Sequence, residues 1–351
     1  MSASRRALDV FFVIDTTGSM DPTRMALVNN ASTITTTITT AIGAGADVRF
    51  GVASFRDFGA ESMAQSADYA LRVMSALSAS PDAFRAGIGQ LTIGNGGDAA
   101  EALVPALHAL VDGSGFPAYG GTATRRAMMG DCNNDPRAIG WGCFFGDRLP
   151  VVVAYSDAAW HNPPGQSGNF YRTSAPNGPV YADLVRAMRL RGARYLGVDV
   201  GSTSAHLTPS IALARDTDSF DSTGSPMAYA GGVTGTLQRV ANSLAGLTAP
   251  GTPDYTARGV GDPFATGLPM GRSSAEFIRT VNAVRATPDA RRDGGTFFSV
   301  AQGTTLTFNA VLRNDFVPQG ASDQVFPAAV LITAGGYPID RRPVWVVVPG
   351  R

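Results

Sequence analysis

The chain has 351 residues, 44% of them hydrophobic and 16% charged, and its 28 acidic and 28 basic residues leave a formal net charge of zero. Neutrality without a basic run excludes an electrostatic footprint for nucleic acid, and no apolar stretch is long enough to span a membrane, so neither nucleic-acid binding nor membrane insertion is expected. Every basic residue is arginine, which excludes a phosphate-loop lysine and Schiff-base chemistry.

Residues 1–7 contain no hydrophobic signal core, so the chain is a fragment, has lost an export signal, or stays in the cytoplasm. Leu8 to Ile14 is a near-continuous apolar run of β-branched and aromatic residues, the pattern of a buried strand in a parallel sheet. It runs directly into Asp15, Thr16, Thr17, Gly18 and Ser19. Asp15, Thr17 and Ser19 alternate around the turn and bring one carboxylate and two hydroxyls to one point. Hard divalent cations such as Mg²⁺ take oxygen ligands of this kind and keep some of their waters. The competing reading is capping, because Asp, Ser and Thr are also enriched at helix starts.

A helix is expected over 23–41, a strand over 48–55, an antiparallel edge strand over 69–77 and a helix over 81–91. Gly94 to Glu101 is a Gly/Asp-rich turn leading into a helix over 99–111, where Asp98 and Glu101 also suit the positive end of the helix dipole. Cys132 and Cys143 bracket a polar Gly/Asn/Asp/Pro-rich loop and are expected to pair; closing a loop of this size stabilises by about 3 kcal/mol in the chain-entropy model. A disulfide implies an oxidising compartment, the alternative being two unrelated buried thiols. Leu149 to Ser156 is a second buried strand, ending on the acid Asp157. Further helices are expected over 181–191 and 233–247, with strands over 194–200 and around Ala228, an alternation that gives a doubly wound α/β domain.

The three histidines, His108, His161 and His206, form no zinc-protease motif. His161 follows Asp157 by four residues and either lines the site or is an ordinary loop histidine. From residue 249 to 272 the composition suits a linker or an extended edge; beyond it, short alternating runs at 277–286, 297–300, 304–312, 325–332 and 343–348 read as a small antiparallel sandwich.

Asp15-x-Thr17-x-Ser19 resembles the Asp-x-Ser-x-Ser motif of the von Willebrand factor A family, which forms its metal-ion-dependent adhesion site; Thr17 keeps the hydroxyl where Ser is commoner. Gly94 to Glu101 is similar to the family's second loop in the form found in integrin β subunits and many bacterial members, with Glu101 matching a metal-bound Glu. Asp98 matches a carboxylate that helps hold a second cation in integrin β subunits, although Gly96 and Ala100 replace the Asn and Pro usual there. Asp157 stands at the family's Thr-Asp-Gly, with Ser156 for Thr and Ala158 for Gly, and Gly142 to Pro150 looks like a loop of bacterial extracellular members.

The resemblance covers roughly residues 7–247 and implies a mostly parallel six-stranded sheet over 1–248; the linker over 249–272 and the β-sandwich over 273–351 rest on composition and alternation alone. It implies Mg²⁺, or Mn²⁺ or Ca²⁺, on Asp15, Thr17, Ser19, Glu101 and Asp157, with Asp98, Ser156 and His161 as outer residues or ligands of a second ion. The expected function is cation-dependent recognition of a protein partner that presents Asp or Glu, without catalysis, at the cell surface or outside the cell. The alternatives are a metal-dependent hydrolase, for which His161 is the one nearby base, and a scaffold subunit with a structural metal.

Overall fold

The structure, a computed structural model, describes residues 1–3, 6–45, 47–57, 68–94, 96–113, 132, 138–166, 168–171 and 178–351. It divides into two compact units, one of residues 6–219 and 226–245, the other of residues 1–3, Phe220–Ser225 and Gly246–Arg351. The first short strand, β1 (Ser2–Ala3), belongs to the latter and not to the α/β unit, as residues 1–248 were expected to do.

The α/β unit follows from its apolar runs. Strands β2 (Leu8–Asp15), β3 (Val48–Phe55), β4 (Arg72–Ser78), β6 (Leu149–Ser156), β8 (Arg194–Asp199) and β9 (Ala228–Ala230) form one sheet in the order β4-β3-β2-β6-β8-β9. Only the edge strand β4 is antiparallel. All eight residues of β2 and of β6 are buried, as expected of strands covered on both faces. Chain order runs one way from β2 through β3 and the other way from β6 through β8, so the sheet reverses between β2 and β6. The right-handed crossover rule then sends α1 (Asp21–Ile42) and α4 (Tyr181–Arg191) to opposite faces. In between lie α2 (Pro81–Gly89) and α3 (Leu103–Val111); α5 (Leu207–Asp216) and α6 (Val233–Leu247) complete the unit.

Two expectations change. The helix expected from residue 99 begins at Leu103, because Ala100–Glu101 is drawn into a two-residue strand, β5, parallel to β7 (Ala159–Trp160). Helix α5 has no counterpart in the sequence reading. Its inward face is Ser210, Leu213 and Ala214, too short and too polar a stripe to show as a helical period, and its start is fixed by Asp199, whose carboxylate accepts the Leu207 amide at 2.9 Å. Cys132 and Cys143 form a disulfide with Cα atoms 5.4 Å apart; residues 133–137 between them lie outside the described residues. Among the described residues no helix is long and apolar enough to cross a membrane.

The all-β unit pairs a five-stranded sheet with a three-stranded one. The first runs β12 (Arg292–Asp293), β13 (Thr296–Phe297), β10 (Tyr255–Gly261), β15 (Gln324–Ala334), β16 (Tyr337–Val348); the second runs β1, β14 (Thr304–Leu312), β11 (Ile278–Thr287). Tyr255, Phe297, Leu306, Ile332 and Ile339 lie in its core. Strand β10 falls inside the stretch expected to be a linker. Its Gly and Thr content hides Tyr255 and Ala257, buried on the inward face, and Val260, buried with Ala329 and Leu331 on the other face, in a strand with neighbours on both sides.

Candidate metal centre

The reversal between β2 and β6 leaves a crevice at the carboxyl ends of the two strands, and three loops meet there. Asp15 ends β2 beside Phe55, and Ile14 is paired with Tyr155, so Ser156 and Asp157 emerge next to the Asp15 loop. The third loop is brought in by the β5–β7 ladder, in which Glu101 pairs with Trp160 and the His161 amide donates to the Glu101 carbonyl at 3.0 Å. From the other side Arg56 ties the turn down: its guanidinium donates to Thr16 Oγ1 at 3.2 Å and to the Thr92 carbonyl at 2.6 Å, while the Gly94 amide donates to the Thr16 carbonyl at 2.9 Å. Any Cβ at Gly94 would fall 2.2 Å from that guanidinium.

Thr17, Ser19, Asp98, Glu101 and Asp157, together with Gly18, Ala99 and Ala158, line a cleft of about 350 Å³. Asp15 lies beneath it without exposed surface. Its Oδ1 accepts the Thr17 amide at 2.9 Å and the Thr17 hydroxyl at 2.7 Å, and its Oδ2 accepts the Ser156 hydroxyl at 2.6 Å. Ser156 is therefore an outer partner that fixes Asp15. The Ser19 hydroxyl donates to Asp157 Oδ1 at 3.0 Å. Each hydroxyl has its proton turned to a carboxylate, which leaves its lone pairs for another centre. Gly96, at φ 64°, is required by close approach: a Cβ there would sit 3.1 Å from Glu101 Oε1 and 3.2 Å from Thr17 Cγ2.

The electrostatics are one-sided. Glu101 is 3% exposed and its Oε2 has no hydrogen-bond partner. Burial, reinforced by the charges of Asp15, Asp57, Asp98 and Asp68, pushes its pKa up to about 10. Burial also pushes Asp15 up to about 6, against the hydrogen bonds from Ser156 and Thr17. No arginine among the described residues contacts either acid. A buried carboxylate surrounded by carboxylates must hold a proton or face a cation.

Beside the cleft, Asp57, Asp98 and His161 offer three donor atoms within 4.8 Å of one another, an arrangement that could hold an ion. His161 Nε2 is 3.2 Å from Asp57 Oδ2 and 3.2 Å from Asp98 Oδ2, and its ring is stacked on Phe170 with centroids 3.7 Å apart. Burial lowers the His161 pKa, but the hydrogen bond to Asp57 and the charges of Asp57 and Asp98 outweigh it and raise the imidazole above its ordinary range. Asp57 was not singled out from the sequence. The signal was present, since Asp57 lies two residues past the end of β3, an acid at a strand's carboxyl end like Asp15 and Asp157. His206 lies elsewhere, buried, with Nδ1 accepting the Trp160 indole N–H at 2.9 Å, and His108 is buried in α3.

No protein-family model matches the chain and no curated protein is similar to it in sequence. Solved structures are similar in shape only. Chains of the von Willebrand factor A type are among them. A von Willebrand factor type A protein from Catenulispora acidiphila is 15% identical, with 97% of this chain and 66% of that one covered and a TM-score of 0.35. The pilus adhesin SpaC from Lactobacillus rhamnosus GG, in its open conformation, is 12% identical over 99% of this chain and 44% of its own, at a TM-score of 0.39. The human COPII-coat protein Sec24c is 11% identical over 99% and 45%, at 0.37. The chain thus spans two thirds or less of the length of these structures. At such identities and TM-scores the likeness carries no weight of its own; the strand order and the donor set of the crevice carry the functional reading.

Proposed function

We propose that the crevice holds a divalent cation, Mg²⁺ or Mn²⁺ with Ca²⁺ as the larger alternative, and that a carboxylate from a protein partner completes its coordination. Thr17 and Ser19 would hold the ion by their hydroxyls, with Asp15, Glu101 and Asp157 bound directly or through water. The observation that carries this reading is Glu101 Oε2, buried, without a hydrogen-bond partner and within the field of four other acids, Asp15, Asp57, Asp98 and Asp68, because an inserted cation offsets that negative charge. The donor chemistry fits: all oxygen, mixed neutral and anionic, as hard cations require. When bound, the ion supplies a positive charge at the cleft mouth that attracts an external carboxylate.

Recognition is favoured over hydrolysis by the state of His161. Its ring nitrogen is held between two carboxylates, which favours the protonated form and makes it a poor general base. The disulfide between Cys132 and Cys143 supports an oxidising, extracellular location. The test is calorimetric titration of the wild type, Glu101→Gln and Asp157→Ala with Mg²⁺, followed by selection from a displayed random-peptide library with Mg²⁺ or EDTA. Metal binding by the wild type alone, and Mg²⁺-dependent enrichment of peptides sharing an Asp or Glu, are expected. Equal Mg²⁺ affinity in all three proteins contradicts the site, and metal-dependent turnover of an ester panel contradicts the recognition role.

A further inference from the structure

Glu101 reaches the crevice on an arm outside the six-stranded sheet: β5 and β7 form a two-stranded ladder of their own. Trp160, the residue of β7 opposite Glu101, is 4% exposed, and its indole N–H donates to His206 Nδ1 at 2.9 Å. His206 has no exposed surface. Its ring also hydrogen-bonds the Ala154 backbone of β6, the strand that leads to Asp157, so one side chain joins the arm to the centre of the sheet.

His206 is itself held in place. Asp199, at the end of β8, accepts the Gly201 amide at 2.8 Å and the Leu207 amide at 2.9 Å, which braces both ends of the loop that carries His206. The same loop passes against the crevice, since a Cβ at Gly201 would lie 3.0 Å from Asp157 Cβ. On the far side Tyr195 stands edge-on to Trp160, with ring centroids 6.2 Å apart, and its hydroxyl lies 2.9 Å from Ser210 Oγ and 3.5 Å from His206 Nε2. An apolar pair at 160 and 206 would fill this space with no polar group to desolvate. A buried hydrogen bond fixes an orientation as well.

We infer that His206 is a positioning residue of the metal centre, acting through Trp160: by fastening β7 to β6 it sets where Glu101 stands relative to Asp157. The His161 amide, bonded to the Glu101 carbonyl, is carried on the same arm. The inference rests on the cation reading above, because its consequence is a metal affinity. Groups that orient metal ligands from behind typically carry about 10- to 100-fold of that affinity. His206 touches none of the ligands, and the effect here belongs at the lower end.

The test uses three variants of the full chain: Trp160→Phe removes the donor, His206→Leu removes the acceptor, and His206→Asn keeps an acceptor near the place of Nδ1. In metal-free protein, amide exchange read by NMR should quicken about tenfold at His161 in the first two, beyond any change at Val152 of β6, which reports global opening. Calorimetric titration with Mg²⁺ should show affinity about tenfold weaker in both and recovered in His206→Asn. The double variant Trp160→Phe/His206→Leu leaves neither partner unpaired, so it should resist urea better than His206→Leu alone and still bind Mg²⁺ about tenfold more weakly than the wild type. A merely structural role would restore affinity together with stability. The inference is overturned by His161 exchange that rises no more than that of Val152, by wild-type Mg²⁺ affinity in Trp160→Phe and His206→Leu, or by affinity restored in the double variant. Those results, with Mg²⁺ bound by the wild type, leave the cation reading standing; a wild type that binds no Mg²⁺ contradicts that reading and this inference with it.

Discussion

Asp9 and Asp15 stand on the same strand, six residues apart in sequence, and neither has exposed surface. At the amino end Asp9 is held by two arginines: Arg49 Nε donates to Oδ1 at 2.8 Å and its Nη2 to Oδ2 at 2.6 Å, while Arg148 Nε donates to Oδ1 at 2.6 Å. At the carboxyl end Asp15 receives only hydroxyl and amide hydrogens, and its nearest ionisable company is acidic. A buried carboxylate needs compensating charge. One end of the strand contains that charge and is finished; the other lacks it, and the proposed cation would supply it.

The largest expected effect breaks the finished end. Asp9→Ala leaves two arginines facing a buried gap, and removing one partner of such a cluster should cost about 3 kcal/mol, measured by urea denaturation. At the carboxyl end Glu101→Gln, without metal, should stay close to wild-type stability, because the acid already holds a proton at neutral pH. Mg²⁺ should separate the two proteins. At a hundred times its dissociation constant it should stabilise the wild type by about 2.7 kcal/mol and the variant not at all, read from melts with and without the ion.

The pH dependence of the metal-free protein sharpens the same contrast. Between the ordinary glutamate value of 4.5 and about 10, folded Glu101 keeps a proton that the unfolded chain has released, so stability falls as pH rises through that window. Glu101→Gln should flatten this slope, and Mg²⁺ should stabilise the wild type more at pH values near the top of the window. A smaller effect of opposite sign belongs to His206, whose burial pulls its pKa from 6.5 down to about 3. The unfolded chain binds the extra proton, so stability present above pH 6.5 is lost as pH falls toward 3; His206→Gln should weaken that loss in acid denaturation curves.

The carboxyl end of β2 was legible in the sequence because a strand buried on both faces must be apolar throughout, so an acid at its end stands out. Asp15 and Asp157 show this directly. Glu101 and Asp98 needed a loop pattern as well, because acids at a helix start have an ordinary electrostatic reason to be there. Asp57 was missed although it obeys the same rule as Asp15, since it lies beyond the end of β3 with Arg56 between and nothing local marks its partner His161. The β5–β7 ladder, two residues per strand, is shorter than any period a sequence can display, yet it sets the position of Glu101. In the all-β unit, alternation revealed β11, β14, β15 and β16. Strand β10 was hidden by its glycines, and β1 is too short to carry a pattern; what pairs them is tertiary contact with partners distant in the chain.

The central claim is that a cation completes the acidic end of the crevice. Crystals grown with Mn²⁺ test it most directly, through anomalous difference maps recorded at the manganese edge. The account predicts a peak in the cleft within bonding distance of the Thr17 and Ser19 hydroxyls and beside Glu101, absent in Glu101→Gln. A map with no peak there, or with manganese only at Asp57, Asp98 and His161, would contradict it.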